Sequence, residues 1–136
     1  MGQQQLLLLV LGIIIVGLAV FVGINIFNQQ TLTNQADDVL SRNVRIAQEA
    51  VNWRGRALMY GGGGNGTFDS LATQGLDVLG VNDVSYTQHA IQSASGLTLE
   101  IVGVSTLDRS IGSYVRLNGN VIDSTAVRTD GSIRLP

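Results

Sequence analysis

Few side chains in this sequence could do chemistry, and their spacing argues against catalysis. His89 is the only histidine. It lies in a strand-like stretch, where a packed or surface imidazole is the ordinary outcome, and one histidine excludes a multi-histidine metal site within one chain. There is no cysteine, which removes disulfides, thiolate metal ligands and thiol nucleophiles and leaves the redox compartment undecided. Asp37 and Asp38 are adjacent, so on a helix they diverge by about 100° and form no acid–base pair. Ser, Asp and His all occur, yet no nucleophile elbow is present. Gly61 to Gly64 lack the Gly-Lys-Ser/Thr ending and the preceding strand of a phosphate loop. The expectation is no enzyme, no cofactor and no metal. Trp53 with Arg54 and Arg56 offers a stack for a ligand or nucleic acid, but the plainer expectation is contact with the neck of a head domain or with a neighbouring subunit. Seven aromatics, one Trp, three Tyr and three Phe, are too sparse for stacked electron transfer. Asn65-Gly66-Thr67 fits the N-glycosylation tripeptide, which is short and common by chance. A plain exposed turn is the preferred reading, with Asn65 as the glycosylation candidate.

What positions these residues follows from composition. The chain has 136 residues, 45% of them hydrophobic and 13% charged, with net charge −2. All eight basic residues are arginines. A near-neutral chain gives no support to nucleic-acid binding through a basic surface. The length allows one domain, or one small domain with an appendage.

The charges are unevenly placed, and the first is Asp37. Before it runs an apolar stretch, Leu6 to Phe27. Leu6, Leu7, Leu8, Leu9, Val10 and Leu11 open it. Ile13, Ile14, Ile15 and Val16 follow Gly12. Leu18, Val20, Phe21 and Val22 follow Gly17, and Ile24, Ile26 and Phe27 follow Gly23. As a helix this stretch is roughly 33 Å long, about the hydrocarbon thickness of a bilayer. It is too apolar all round for a one-sided surface helix. A secretory signal has a basic start, a shorter apolar core and a polar cleavage region, none of which is present. The stretch therefore belongs in lipid, in a very apolar protein interior, or in both at different times. The glycine spacings of five and six do not make the small-xxx-small dimer pattern. They are either ordinary membrane-helix glycines or sites of close helix approach and local loosening. Asn25 is expected at a membrane interface.

The helical pattern continues beyond the apolar stretch. From Asn28 to Tyr60 there is no proline, and Leu32, Ala36, Val39, Leu40, Ala47, Ala50, Val51 and Leu58 follow a 3.6-residue period, broadened by Val44 and Ile46. Asp38 with Arg42, and Arg45 with Glu49, are four apart and can pair, each worth about 0.2–0.5 kcal/mol. One helix from Gln3 to about Leu58 would be roughly 84 Å long, so half of it is expected to project from a domain of this size. The glycine run at 61–64 should end it. Thr67 is expected to cap a short turn over Phe68 to Thr73, with Leu71 inward. Leu76, Val78, Leu79 and Val81 form an apolar connection. Strands are expected at Ser85–Gln92, Leu97–Ser105, Tyr114–Leu117, Val121–Arg128 and Ser132–Leu135, separated by turn signals at Ser95-Gly96, Asn118-Gly119 and Asp130-Gly131. Short strands joined by tight turns predict an antiparallel meander. Its thin core needs a cover and the amphipathic helix needs a sheet, which gives an α+β head. The expected division is 1–28 for the apolar helix, 29–60 for its amphipathic continuation and 61–136 for the β-sheet head.

Taken together, Gln3-Gln4-Gln5-Leu6 through Phe27, the amphipathic continuation and the β-rich remainder resemble the type IV pilin and pseudopilin family. As architecture the resemblance covers the whole chain; in sequence it is confined to the N-terminal stretch. Members of that family begin with a cleaved leader ending in glycine, a methylated first residue and a nearby glutamate. With Met1 as the mature first residue, the matching position is Gln5; with Gly2 ending the leader, it is Leu7. Neither is acidic, so the carboxylate that offsets a neighbour's terminal amine is missing, and an amide such as Gln5 would bind that amine with less than charge-assisted strength. The family's cysteine-bounded C-terminal loop is also absent. The resemblance implies a pilin-like fold, self-assembly into a helical homopolymer, residence in the inner membrane before assembly and at the extracellular cell surface afterwards. It also implies an ATP-driven assembly machinery and a prepilin peptidase as partners. A minor pseudopilin of a secretion or DNA-uptake machine and a bitopic membrane-anchored interaction protein are the alternatives. Adhesion, twitching, DNA capture and surface sensing are equally permitted by the polar sheet surface.

Overall fold

The computed structural model describes residues 2–64, 66–80 and 86–136. Met1, Asn65, Val81 and Ser85 therefore lie outside the described residues, and with them the start of the first expected strand. Helix α1 (Gly2–Gly55) is followed by a 3₁₀ turn (Leu58–Tyr60), a single α-helical turn α2 (Leu71–Gln74) and a second 3₁₀ turn (Leu76–Leu79). Four strands complete the chain: β1 (Thr87–Ser95), β2 (Thr98–Ser105), β3 (Gly112–Asn118) and β4 (Val121–Arg128). They form one antiparallel meander in the order β1-β2-β3-β4. The fold is α+β, a long N-terminal helix packed on a small antiparallel sheet. The chain divides into two units, Met1–Thr33 and Asn34–Pro136.

The first unit is helix alone. It has no acidic side chain in its first turn. At the end of the unit, Thr31 Oγ1 and Thr33 Oγ1 donate to the carbonyls of Phe27 and Gln29, each at 3.0 Å.

In the second unit α1 buries Ala36, Val39, Asn43, Ile46, Ala47, Ala50 and Trp53, one face at helical spacing. Its alanines let the helix lie close to the sheet. The core joins Ile46, Ala47, Ala50 and Trp53 to Phe68, Leu71, Leu99, Ile101, Val115 and Leu117. Leu99, Ile101, Val115 and Leu117 come from the alternate positions of β2 and β3 that face α1, as the period of two requires. Leu40, Val44 and Val51 pack at the edge of this core, while Leu32 and Leu58 of the expected stripe are exposed. Asp38 and Arg42 pair at 3.3 Å, and Arg45 with Glu49 does not close to an ion pair.

Several boundaries differ from expectation. Helix α1 ends at Gly55, not Leu58, because the chain turns back over its own end. Arg56 and Gly63 donate to the Trp53 carbonyl at 3.1 and 3.0 Å, Gly62 to Ala57 at 3.1 Å and Gly64 to Arg56 at 3.2 Å. Those carbonyls would otherwise lack partners. The glycine run is required there for close approach: a Cβ on Gly63 would sit 2.8 Å from Trp53 Cζ3. Thr67 is not a cap. α2 starts after Ser70, which makes no side-chain capping bond, and Leu71 is buried as expected. β3 extends beyond Tyr114–Leu117 at both ends because pairing with β2 continues from Thr98↔Asn118 to Val104↔Gly112.

Ser132–Leu135 is not a strand. Gly131 N–H donates to Ser110 O at 2.9 Å, and the chain then crosses the sheet face opposite α1, where a Cβ on Gly112 would lie 2.8 Å from Ile133 Cβ. Val104 points to that side and is buried. Covering this apolar patch decides the path of the segment, in place of edge pairing with β4.

Candidate assembly surface

All seventeen large apolar residues from Leu6 to Phe27 are solvent-exposed in the single chain, between 45% for Val10 and 69% for Phe27. They surround the helix, so no face is set aside for the chain's own fold. The helix is long and apolar enough to cross a membrane, and its apolar span is unburied. The helix could therefore anchor the chain in a bilayer, where its backbone groups are satisfied internally. Asn25 is exposed too.

Gly12, Gly17 and Gly23 have open space where a Cβ would be. Nothing inside the chain requires glycine at these positions, although glycine in a helix interior costs about 0.5–1 kcal/mol relative to alanine. Gly62, Gly63, Gly103 and Gly112 are different, since a Cβ on any of them would meet neighbours at 2.1–2.8 Å. Gly2 and Gln5 lie in the first turns of α1 and are exposed. The register marked by Met1 and the glycosylation candidate Asn65 fall outside the described residues.

The head holds the remaining polar groups. Asn43, fully buried, donates from Nδ2 to the Ser113 carbonyl at 3.1 Å and also to Ser113 Oγ. That orientation turns its Oδ1 to His89, whose Nδ1 donates at 2.6 Å. Gly103 makes room beneath them: a Cβ would sit 2.5 Å from His89 Nδ1 and 2.8 Å from Asn43 Oδ1. His89 is thus a packed histidine pinned to the helix. Polarity at a core position hides this role from hydrophobic periodicity, and only its place on the Val39–Ile46 face signals Asn43.

Trp53 is 3% exposed, with its ring against Gly63, so it is closed to a ligand or neighbouring subunit. Arg54 lies 5.0 Å from the Phe68 ring centroid and donates to Asn120 Oδ1, tying the β3–β4 hairpin to the helix. On the outer sheet face Arg116 lies between Glu100 at 3.7 Å and Asp123 at 4.0 Å. Partial desolvation, then the hydrogen bond to Glu100, pushes the Tyr114 hydroxyl up from its ordinary value. A cleft of about 660 Å³ between α1 and β1 is lined by Asp38, Arg42, Arg45, Glu49, Thr87 and His89, among others. Among the described residues no group of three or more His, Cys, Asp or Glu could hold a metal.

No known family model matches the chain, and neither a curated protein nor a solved structure does.

Proposed function

We propose that this protein is the structural subunit of an extracellular, type IV pilus-like filament, assembled through residues 6–27. The observation that carries the reading is the exposure of an uncharged apolar helix on its whole circumference. Such a rod is stable in lipid before assembly. Out of lipid it must bury every side, and a bundle of identical rods does that. Burial is worth about 1.5–3 kcal/mol per large apolar side chain. Much of this replaces lipid contacts, so packing and the pulling machinery set the final balance. Contacts that repeat without closing give a helical filament. In this reading the chain resides in the inner membrane first and at the cell surface later, served by an assembly ATPase and a prepilin peptidase. It has no catalytic role and needs no cofactor.

One observation favours a second reading. Gln5, or Leu7 in the other register, stands where the resembled family carries a carboxylate, which suits a minor pseudopilin of a secretion or DNA-uptake machine, or a bitopic anchor. The absence of Lys or Arg beside the apolar run in the given sequence counts against the anchor.

Electron microscopy of material sheared from cells tests the filament reading: uniform fibres containing this chain are expected. Leu8→Arg puts a charge inside an apolar bundle and should abolish them. Normal fibres from Leu8→Arg cells, or a wild-type chain that stays monomeric in the membrane, would reject the reading. N-terminal sequencing of the fibres fixes the register at Met1 and Gly2.

A further inference from the structure

Each outer strand of the sheet carries one residue too many for its ladder. The inner strands β2 and β3 pair without a break from Thr98↔Asn118 to Val104↔Gly112. On β1, Ile91 pairs with Ile101 and Ser93 with Glu100, which leaves Gln92 with no place opposite β2. On β4, Ile122 pairs with Leu117 and Ser124 with Arg116, which leaves Asp123 over. Both are β-bulges, one in each edge strand, and both extra residues are exposed. The core does not ask for them. Ile91 and Ala94 both pack against it, although a regular strand would point residues three apart to opposite faces. Taking Gln92 out leaves Ser93 alone between them and restores the period of two. Ile122 packs at the core and Thr125 pairs with the core residue Val115; without Asp123, Ser124 alone separates them.

The edges themselves are open. β1 has nine residues and β4 eight, against about five or six in a common strand. Among the described residues no backbone hydrogen bond from outside the sheet reaches either strand. Val121, Ile122, Thr125 and Val127 give β4 the branched side chains that favour strand pairing, and Val121 is 68% exposed. An edge of this kind templates a strand from another molecule. A second copy brings the same edge, and two such edges can pair antiparallel about a twofold axis. Proteins blunt edges with lysine, proline, a covering element or a bulge. This chain has no lysine, and its one proline is Pro136. The bulge remains: it breaks the regular spacing of the outward N–H and C=O groups and bends the strand.

We propose that the bulges at Gln92 and Asp123 close both sheet edges to strand addition by a second copy of this chain. Copies can then gather through residues 6–27 without their heads fusing into one continuous sheet. The extra residue, rather than the charge on Asp123, is the guard, since Gln92 serves β1 without one. The inference concerns the head alone and stands whether or not the filament forms.

The test deletes Asp123, Gln92 or both from the full chain, held in detergent micelles, with the wild type as the reference for association through residues 6–27. Amide exchange along β1 and β4 is followed as chain concentration rises, and Trp53 emission reports the fold. Wild-type exchange on these strands is expected to be independent of concentration. Deleting Asp123 should slow alternate β4 amides by about tenfold at high concentration, the equivalent of ~1.4 kcal/mol of pairing, and deleting Gln92 should do the same on β1. Asp123→Asn keeps the extra residue and should behave as wild type. Deletion variants with a shielded Trp53 and wild-type exchange at every concentration would overturn the proposal. So would concentration-dependent protection in the wild type, which means open edges, or in Asp123→Asn, which makes the charge the guard. Loss of Trp53 shielding on deletion overturns it too, because the core then needs the extra residues. No outcome depends on fibres, so the filament reading is tested apart.

Discussion

Asn43 on the helix and His89 on the first strand, 46 residues apart, meet at 2.6 Å between Oδ1 and Nδ1. With Ser113 on the third strand they make a polar clamp in an otherwise apolar interface. It fixes how far α1 slides along the sheet, because a one-turn shift would bury both polar groups unpaired. Asn43→Ala removes the hydrogen bonds that tie Ser113 and His89 to the helix, which costs about 0.5–1.5 kcal/mol for each bond lost. Urea unfolding of the head measures it. Gly103→Ala should act in the same direction by pushing His89 and Asn43 apart, and an unchanged midpoint in both variants would deny the clamp a role.

Gly63→Ala drives a methyl against the buried Trp53 ring, which has no room to yield. A loss of about 1–3 kcal/mol is expected, typical of overpacking, together with altered Trp53 fluorescence. Gly66→Ala provides the contrast in packing: its Cβ has open space, and only its left-handed backbone resists the change.

Gly17→Ala separates the needs of one chain from those of an assembly. A methyl has open space in the single chain, and the helix should gain about 0.5–1 kcal/mol. Circular dichroism in detergent should show helicity kept or raised. Fibre yield should fall if neighbouring helices approach at this glycine; an unchanged yield assigns it to the helix alone.

The head should fold without residues 1–28, since every residue of the buried core lies at Ala36 or later. A soluble fragment with mixed helix and sheet signal and a shielded Trp53 is expected. An unfolded fragment would place part of the head's stability in the deleted segment.

Acid should loosen the turns at Asp108–Ser110 and Asp130–Ser132. Asp108 accepts from Ser110 Oγ at 2.6 Å and from its N–H at 3.0 Å, which holds its carboxyl below the usual value of 3.8. Hydrogen bonds from Ser132, one of them from its N–H at 2.9 Å, do the same to Asp130. Folded-state values below the unfolded ones mean the stabilisation is complete above the ordinary carboxyl range and is lost as pH falls through the lowered values. Protection of the Ser110 and Ser132 amides, measured against their intrinsic exchange rates at each pH, should therefore fall below about pH 3.8. Asp108→Asn should remove this pH dependence at Ser110 and leave it at Ser132.

Much of this architecture is legible in the residues. The apolar length of 6–27, the 3.6-residue period from Ala36 to Ala50 and the turn at Gly119 depend on local backbone preference and on burial patterns that repeat along the chain. They identify the long helix, the antiparallel meander and the exposed apolar stretch before any contact is known. Tertiary structure decided what depends on residues distant in sequence. Asn43 is buried because Ser113 and His89 satisfy it, and Trp53 is buried because Gly63 folds back onto it. Residues 132–135, which pattern as a strand, lie across the sheet because Val104 needs a cover and Gly112 leaves space for Ile133. Periodicity reports which face of an element is apolar; only the packed chain determines which polar groups find partners and which apolar surfaces stay open.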